Sequence, residues 1–103
     1  MATEFESRLD ALRARFADRC AGHAADLDSH LAGLASAPGE SRTALRAIAH
    51  QLVGTAGTFG FTRIATLAGT LERLCSDGAG QEAVESAGAA LRAALQAPAT
   101  DTD

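Results

Sequence analysis

Residues 50–61 read HQLVGTAGTFGF, a histidine followed by glycines at 54, 57 and 60 within a run that otherwise has helical character. A glycine in a helix interior costs roughly 1 kcal/mol relative to alanine, so Gly54 and Gly57 need a reason to be there. On an ideal helix, advancing about 100° per residue, Arg46, His50, Val53, Gly54 and Gly57 share one face within about 60° of the histidine. Leu45, Ile48, Leu52 and Phe59 fall on the opposite face. The apolar stripe therefore turns inward, and His50 is displayed over a strip with few side chains.

Working outward, the pattern predicts a helix over about 42–59, with Ser41 as its N-cap and Gly60 ending it in the left-handed conformation. Ser36 to Ser41, rich in breakers and small polar residues, reads as the loop before it. Upstream, Phe5, Leu9, Leu12, Phe16, Cys20, Ala24, Leu27, Leu31 and Leu34 recur at steps of three or four. That stripe predicts an N-terminal helix over about 4–21, capped by Thr3 or Ser7, and another over about 23–35, or one helix running through Gly22. Downstream, Thr62 is the expected cap of a helix carrying Ile64, Leu67, Ala68, Leu71, Leu74 and Cys75. After a turn at Asp77–Gly80, a last helix spans about 81–96 and stops before Pro98.

These helices are amphipathic, and the last three are joined by short connections, which make antiparallel neighbours. The expected fold is all-α: an antiparallel up-down four-helix bundle over about 23–96, an N-terminal helical extension, and a mobile acidic tail over 98–103. At 103 residues the chain makes a single domain. Met1 suggests a free start. A monomer is expected, although the N-terminal stripe could either cap the bundle or pair with a second copy.

A formal net charge of −4, with all nine cationic residues arginine and scattered among acids, argues against a nucleic-acid partner. The N-terminus lacks the apolar region of a signal peptide, and no apolar run approaches the roughly 20 residues of a membrane span. Cys20 and Cys75 have no CxxC spacing and read as free core thiols, which points to the cytoplasm. His23 and His30 are seven apart with Asp26 between them, so a metal site can be drawn, but the third and fourth ligands that zinc wants are not obvious and no metal site is expected.

His50 has no acid three or four residues away, and nothing suggests a concave apolar pocket, so an autonomous enzyme is not expected. An exposed imidazole with an ordinary pKa near 6.5 can still act as a nucleophile when the rest of the chemistry arrives on a partner. It could take a phosphoryl group from an aspartyl phosphate and pass it on, with bare glycines at 54 and 57 admitting the partner's backbone. The same glycines could instead permit close helix packing within the molecule.

The run from His50 to Gly60 resembles the phosphoacceptor motif of histidine-containing phosphotransfer (HPt) domains, approximately H-x-L-K-G-x-A-G-x-x-G. Leu67, Leu71 and Glu72 resemble the family's continuation into a helix ending in Leu-Glu. The resemblance is dense over 45–72 and implies a four-helix bundle with His50 as phosphoacceptor. It also implies no kinase activity, and a carrier working between response-regulator receiver domains and a hybrid or sensor histidine kinase, with Mg2+ on the receiver and no cofactor of its own. Gly54 carries over as the small residue admitting the partner, and Gln51, Val53 and Gly57 as further parts of the binding face. Val53 stands where the family has lysine, and Arg46, one turn before His50, is the nearby cation that could replace it. The alternatives are an HPt-like adaptor that binds without efficient transfer, and a helical interaction domain with an incidental histidine.

Overall fold

The computed structural model describes residues 3–101. Four helices form, α1 (Glu4–Ala32), α2 (Pro38–Thr58), α3 (Thr62–Ser76) and α4 (Gln81–Gln96), followed by a short 3-10 turn at Pro98–Asp101. Each packs against its neighbours in the order α1–α2–α3–α4–α1, with α2 and α4 on one diagonal and α1 and α3 on the other. This is the expected up-down bundle. Among the described residues, no helix is long and apolar enough to cross a membrane.

The N-terminal extension and the first bundle helix are one helix. Thr3 caps it, its Oγ1 accepting a hydrogen bond from the Glu6 amide at 3.1 Å. Gly22 lies open on its surface with nothing near an added Cβ, so the apolar stripe passes through it without a break. Core burial on α1 begins only at Phe16, which leaves Phe5 (72% exposed) and Leu12 (42%) on the surface.

Helix α2 begins earlier than Ser41. Pro38 occupies the first helical turn, where its fixed φ suits the helix and its missing N–H leaves no unmet donor. Ser41 is therefore a buried residue of that turn rather than the N-cap. Gly33, which closes α1, lies so near it that a Cβ there would come within 2.6 Å of the Ser41 hydroxyl. A similar close approach joins α1 to α4, where a Cβ on Gly88 would meet Leu31 at 2.5 Å.

The α2–α3 connection fixes the geometry that matters most below. Gly60 has φ +82°, the Phe61 amide donates to the Ala56 carbonyl at 2.8 Å, and the Gly60 amide donates to Gly57 at 3.2 Å. Those two bonds form a Schellman end, with glycine in its left-handed position as the sequence predicts. Phe61, just past it, is buried against Phe16 with ring centroids 4.9 Å apart. Phe59 also reaches Phe16, so three of the four phenylalanines in the chain secure this one turn.

The tail departs from expectation. Over 98–101 it is ordered, and Asp101 is only 6% exposed. Its carboxylate accepts hydrogen bonds from the Arg63 amide at 2.8 Å and the Ile64 amide at 2.7 Å, and so caps the start of α3 from the far end of the chain. Thr62 is the first residue of α3 and makes no capping bond. A carboxylate at a helix N-terminus satisfies orphan amides and opposes the positive end of the helix dipole. Thr102 and Asp103 lie outside the described residues.

Cys20 is fully buried, and burial pushes its thiol up to about 11, with the Asp101 carboxylate adding in the same direction. It stays protonated near neutral pH. Both cysteines are free thiols.

Replacing Asp101 with alanine leaves one buried amide, that of Ile64, and one part-buried amide, that of Arg63, without partners. Asp101→Ala is therefore expected to lower the unfolding free energy by about 2 kcal/mol in urea titrations. An unchanged midpoint would mean that the tail does not hold α3.

Candidate functional site

His50 stands on the outer face of α2 with 77% of its side chain exposed. The residues that anchor the helix beneath it, Leu45, Ala49, Leu52 and Ala56, are all at most 1% exposed, so the backbone carrying the histidine is rigidly seated. The structure thus separates the two faces as the helical period predicts.

The expected face is only partly a single surface. Arg46, His50, Gly54 and Gly57 are exposed together along α2. Gln51 is exposed too, but turned toward α1, where it lines a groove with Thr55. Val53 is turned the other way, half-buried and packed on the core, 3.9 Å from where a Cβ on Gly69 of α3 would lie. Position 53 thus belongs to the α2–α3 seam rather than to the open face.

The bare strip is open outward. Among the described residues, nothing lies within 4 Å of a Cβ built on Gly54 or Gly57, so no neighbouring helix requires either glycine. Close internal packing, the other explanation of these residues, is thereby removed. What remains is a stretch of exposed backbone beside the histidine, kept at a cost in helix propensity.

The decisive contact comes from another helix. Glu72 Oε2 lies 2.6 Å from His50 Nδ1, and this carboxylate is three-quarters shielded, with 26% of the side chain exposed. Neighbours along α2 contain no such acid, which is why reading the local sequence finds no partner for the imidazole. The signal lay in the hairpin register. His50 is eleven residues before Phe61 and Glu72 eleven after it, and Val53 and Gly69 are likewise each eight away. Two antiparallel helices joined by a tight turn bring equidistant residues level with each other, so the glutamate of the Leu-Glu continuation is the residue that meets the histidine.

This hydrogen bond sorts the two ring nitrogens. In the neutral imidazole, the carboxylate accepts from Nδ1–H and leaves the lone pair on Nε2. Side chains on a helix lean toward its N-terminus, so the ring lies over the turn that carries Arg46. An open groove of about 510 Å³ runs there between α2 and α3, lined by Arg42, Arg46, His50, Glu72 and Cys75. Arg42 is a residue that sequence reasoning did not single out. Burial raises the Cys75 thiol pKa, while the positive charges of Arg42 and Arg46 act in the opposite direction, so their field reaches the α3 side of the groove.

Elsewhere the histidines are less suggestive. His23 is half-buried with its ring 6.3 Å from that of Phe16, and His30 is also half-buried. Among the described residues, no group of three or more His, Cys, Asp or Glu side chains is placed to hold a metal ion.

The arrangement can therefore present one oriented nitrogen nucleophile, on a face cleared for another molecule and next to two cations. The ordering of the ring is testable. In long-range 15N–1H NMR of the neutral form, His50 is expected as the Nδ1–H tautomer, and Glu72→Ala should move it toward the Nε2–H form. If the two proteins gave the same ring shifts, the carboxylate would not be what orients the imidazole.

Among known families, the model described as Hpt domain matches residues 11–100. Neither a curated protein nor a solved structure matches the chain.

Proposed function

This chain belongs to the Hpt domain family, and from that premise we propose that it is a phosphorelay intermediate in which His50 accepts a phosphoryl group from a receiver-domain aspartyl phosphate and passes it to another receiver. Hpt domains serve histidine phosphotransfer in phosphorelays, with receiver domains and kinases as their partners, and are phosphocarrier modules rather than catalysts. The observation that carries the residue-level reading is the His50–Glu72 contact on a glycine-bare face.

On this reading the Nε2 lone pair attacks phosphorus in line with the aspartyl oxygen. The Nε2–P bond forms as the P–O bond breaks, and the aspartate leaves as a carboxylate on the partner. No proton has to move in the step. The ring becomes a phosphoimidazolium whose Nδ1–H stays bonded to Glu72, so the carboxylate offsets the positive charge created on the ring. The reverse sequence delivers the group to the next receiver. Such transfer depends on positioning and charge stabilisation more than on bond-making by the protein.

The phosphoryl group also needs positive charge nearby. The lysine usual in the family is replaced by Val53, which is tucked into the α2–α3 seam. We assign that part to Arg46, supported by Arg42, because the ring leans toward them and neither is in an ion pair among the described residues. We assign the divalent metal to the partner, where it would neutralise phosphoryl oxygens during transfer. Gln51, Gly54 and Gly57 then form the surface against which the partner closes. Two free thiols fit a cytoplasmic carrier.

Incubation with a panel of phosphorylated receiver domains tests the reading. Label is expected on the wild type and not on His50→Gln, and it should show the acid lability of a phosphoramidate. Stoichiometric binding without label would instead make the chain an adaptor. Within a labelling system, Arg46→Ala is expected to slow transfer about fivefold, equivalent to about 1 kcal/mol for an exposed charge-assisted contact. Gly54→Leu should match or exceed the wild type in thermal stability while nearly abolishing transfer. Transfer at the wild-type rate by that variant would remove the close-approach argument.

A further inference from the structure

A second groove lies on the other side of α2. It runs between α1 and α2, has a volume of about 170 Å³, and is floored by Leu12, Phe16 and Phe59, with Gln51 and Thr55 on one wall and Arg15 and Arg19 on the other. That volume is well below the roughly 300 Å³ at which small-molecule sites begin, so the groove suits a side chain or two of another protein rather than a cofactor.

Its charge is at odds with the rest of the chain. The protein carries a net charge of −4, yet Arg15 and Arg19 are exposed, one helical turn apart, and in no ion pair among the described residues. No carboxylate lines this groove. The groove across α2 carries Arg42 and Arg46, and its one carboxylate, Glu72, is taken up by His50. On α1 itself, Asp18 and Asp26 are exposed and outside the lining of the groove. Glu82 and Glu85 are on α4, diagonal to α2, Asp28 is paired with Arg92 of that same helix, and Asp101 is buried at the start of α3. His50 therefore stands on a ridge between two rows of free arginines.

We infer that the α1–α2 groove is a docking subsite in which Arg15 and Arg19 select the protein that exchanges phosphate with His50, by receiving an acidic segment of its surface with an apolar side chain over Leu12. The inference rests on the carrier reading above. The groove is continuous with the reactive face, because Gln51 adjoins His50 in the chain and Gly54 leaves the ridge between them bare. Phosphate chemistry does not require these two arginines, since the cations nearest the ring are on the other side of α2. What they add is attraction at a distance and a penalty for a partner with a basic rim. The apolar floor adds a contact that salt does not screen.

The test uses whichever receiver domain phosphorylates wild-type protein fastest in the panel. Below saturation, its second-order transfer rate is expected to fall about tenfold between about 50 and about 300 mM NaCl. Arg15→Glu/Arg19→Glu should lose about tenfold at the lower salt and show a much flatter salt dependence. Circular dichroism and the His50 ring 15N shifts should stay as in the wild type, because both arginines are exposed. Leu12→Ala should weaken transfer without changing the salt slope. Wild-type rate and salt slope in the double variant would overturn the docking inference while leaving the carrier reading intact. If no receiver labels His50, the carrier reading falls and this inference with it.

Discussion

The site depends on one backbone constraint, the left-handed residue at Gly60 that ends α2 and turns the chain directly into α3. Only a residue with little steric penalty at positive φ permits so short a turn. With Phe61 buried against Phe16 immediately beyond it, the two helices cannot slide past one another without extracting an aromatic ring from the core. That register puts Glu72 level with His50 and Val53 level with Gly69. The acid that orders the imidazole is thus delivered by a turn eleven residues away.

Stability and function have been divided between the two faces of α2. Its inner face is filled by Leu45, Ala49, Leu52 and Ala56, which hold the helix in the bundle. Its outer face gives up helix propensity at Gly54 and Gly57, where the chain itself has nothing to pack. A Cβ on either glycine would meet nothing within 4 Å among the described residues, which fits the proposal that they are kept bare for a partner. The same division appears at the C-terminus in reverse. Asp101, within an acidic tail that composition suggests is solvated, is spent inside the fold as the cap of α3.

Much of this was legible in the chain as written. Apolar residues at steps of three and four located every helix, because a helix that must bury one face leaves that periodicity behind. Gly60 was recognisable as a helix end for the steric reason above, and Thr3 as a cap because its hydroxyl accepts from the first turn. Errors fell where local signals competed. Ser41 is a good capping residue, but Pro38 three positions earlier is a better start and Gly33 has room for the buried hydroxyl. Gly22 looked like a break, yet the stripe on either side of it is in phase and carried α1 through.

What the sequence by itself determined is the class of the fold, the exposed face of α2, and the identity of the residue displayed there, because all three follow from periodicity within single helices. The run from His50 to Gly60 also carries the family's phosphoacceptor pattern. What only the tertiary structure decided is everything that joins one helix to another: Glu72 on the imidazole, Val53 in the seam, and Asp101 at the foot of α3. The physical reason is range. A helix records in its own sequence which way its side chains point, but the side chains they meet are set by turns and core packing far along the chain.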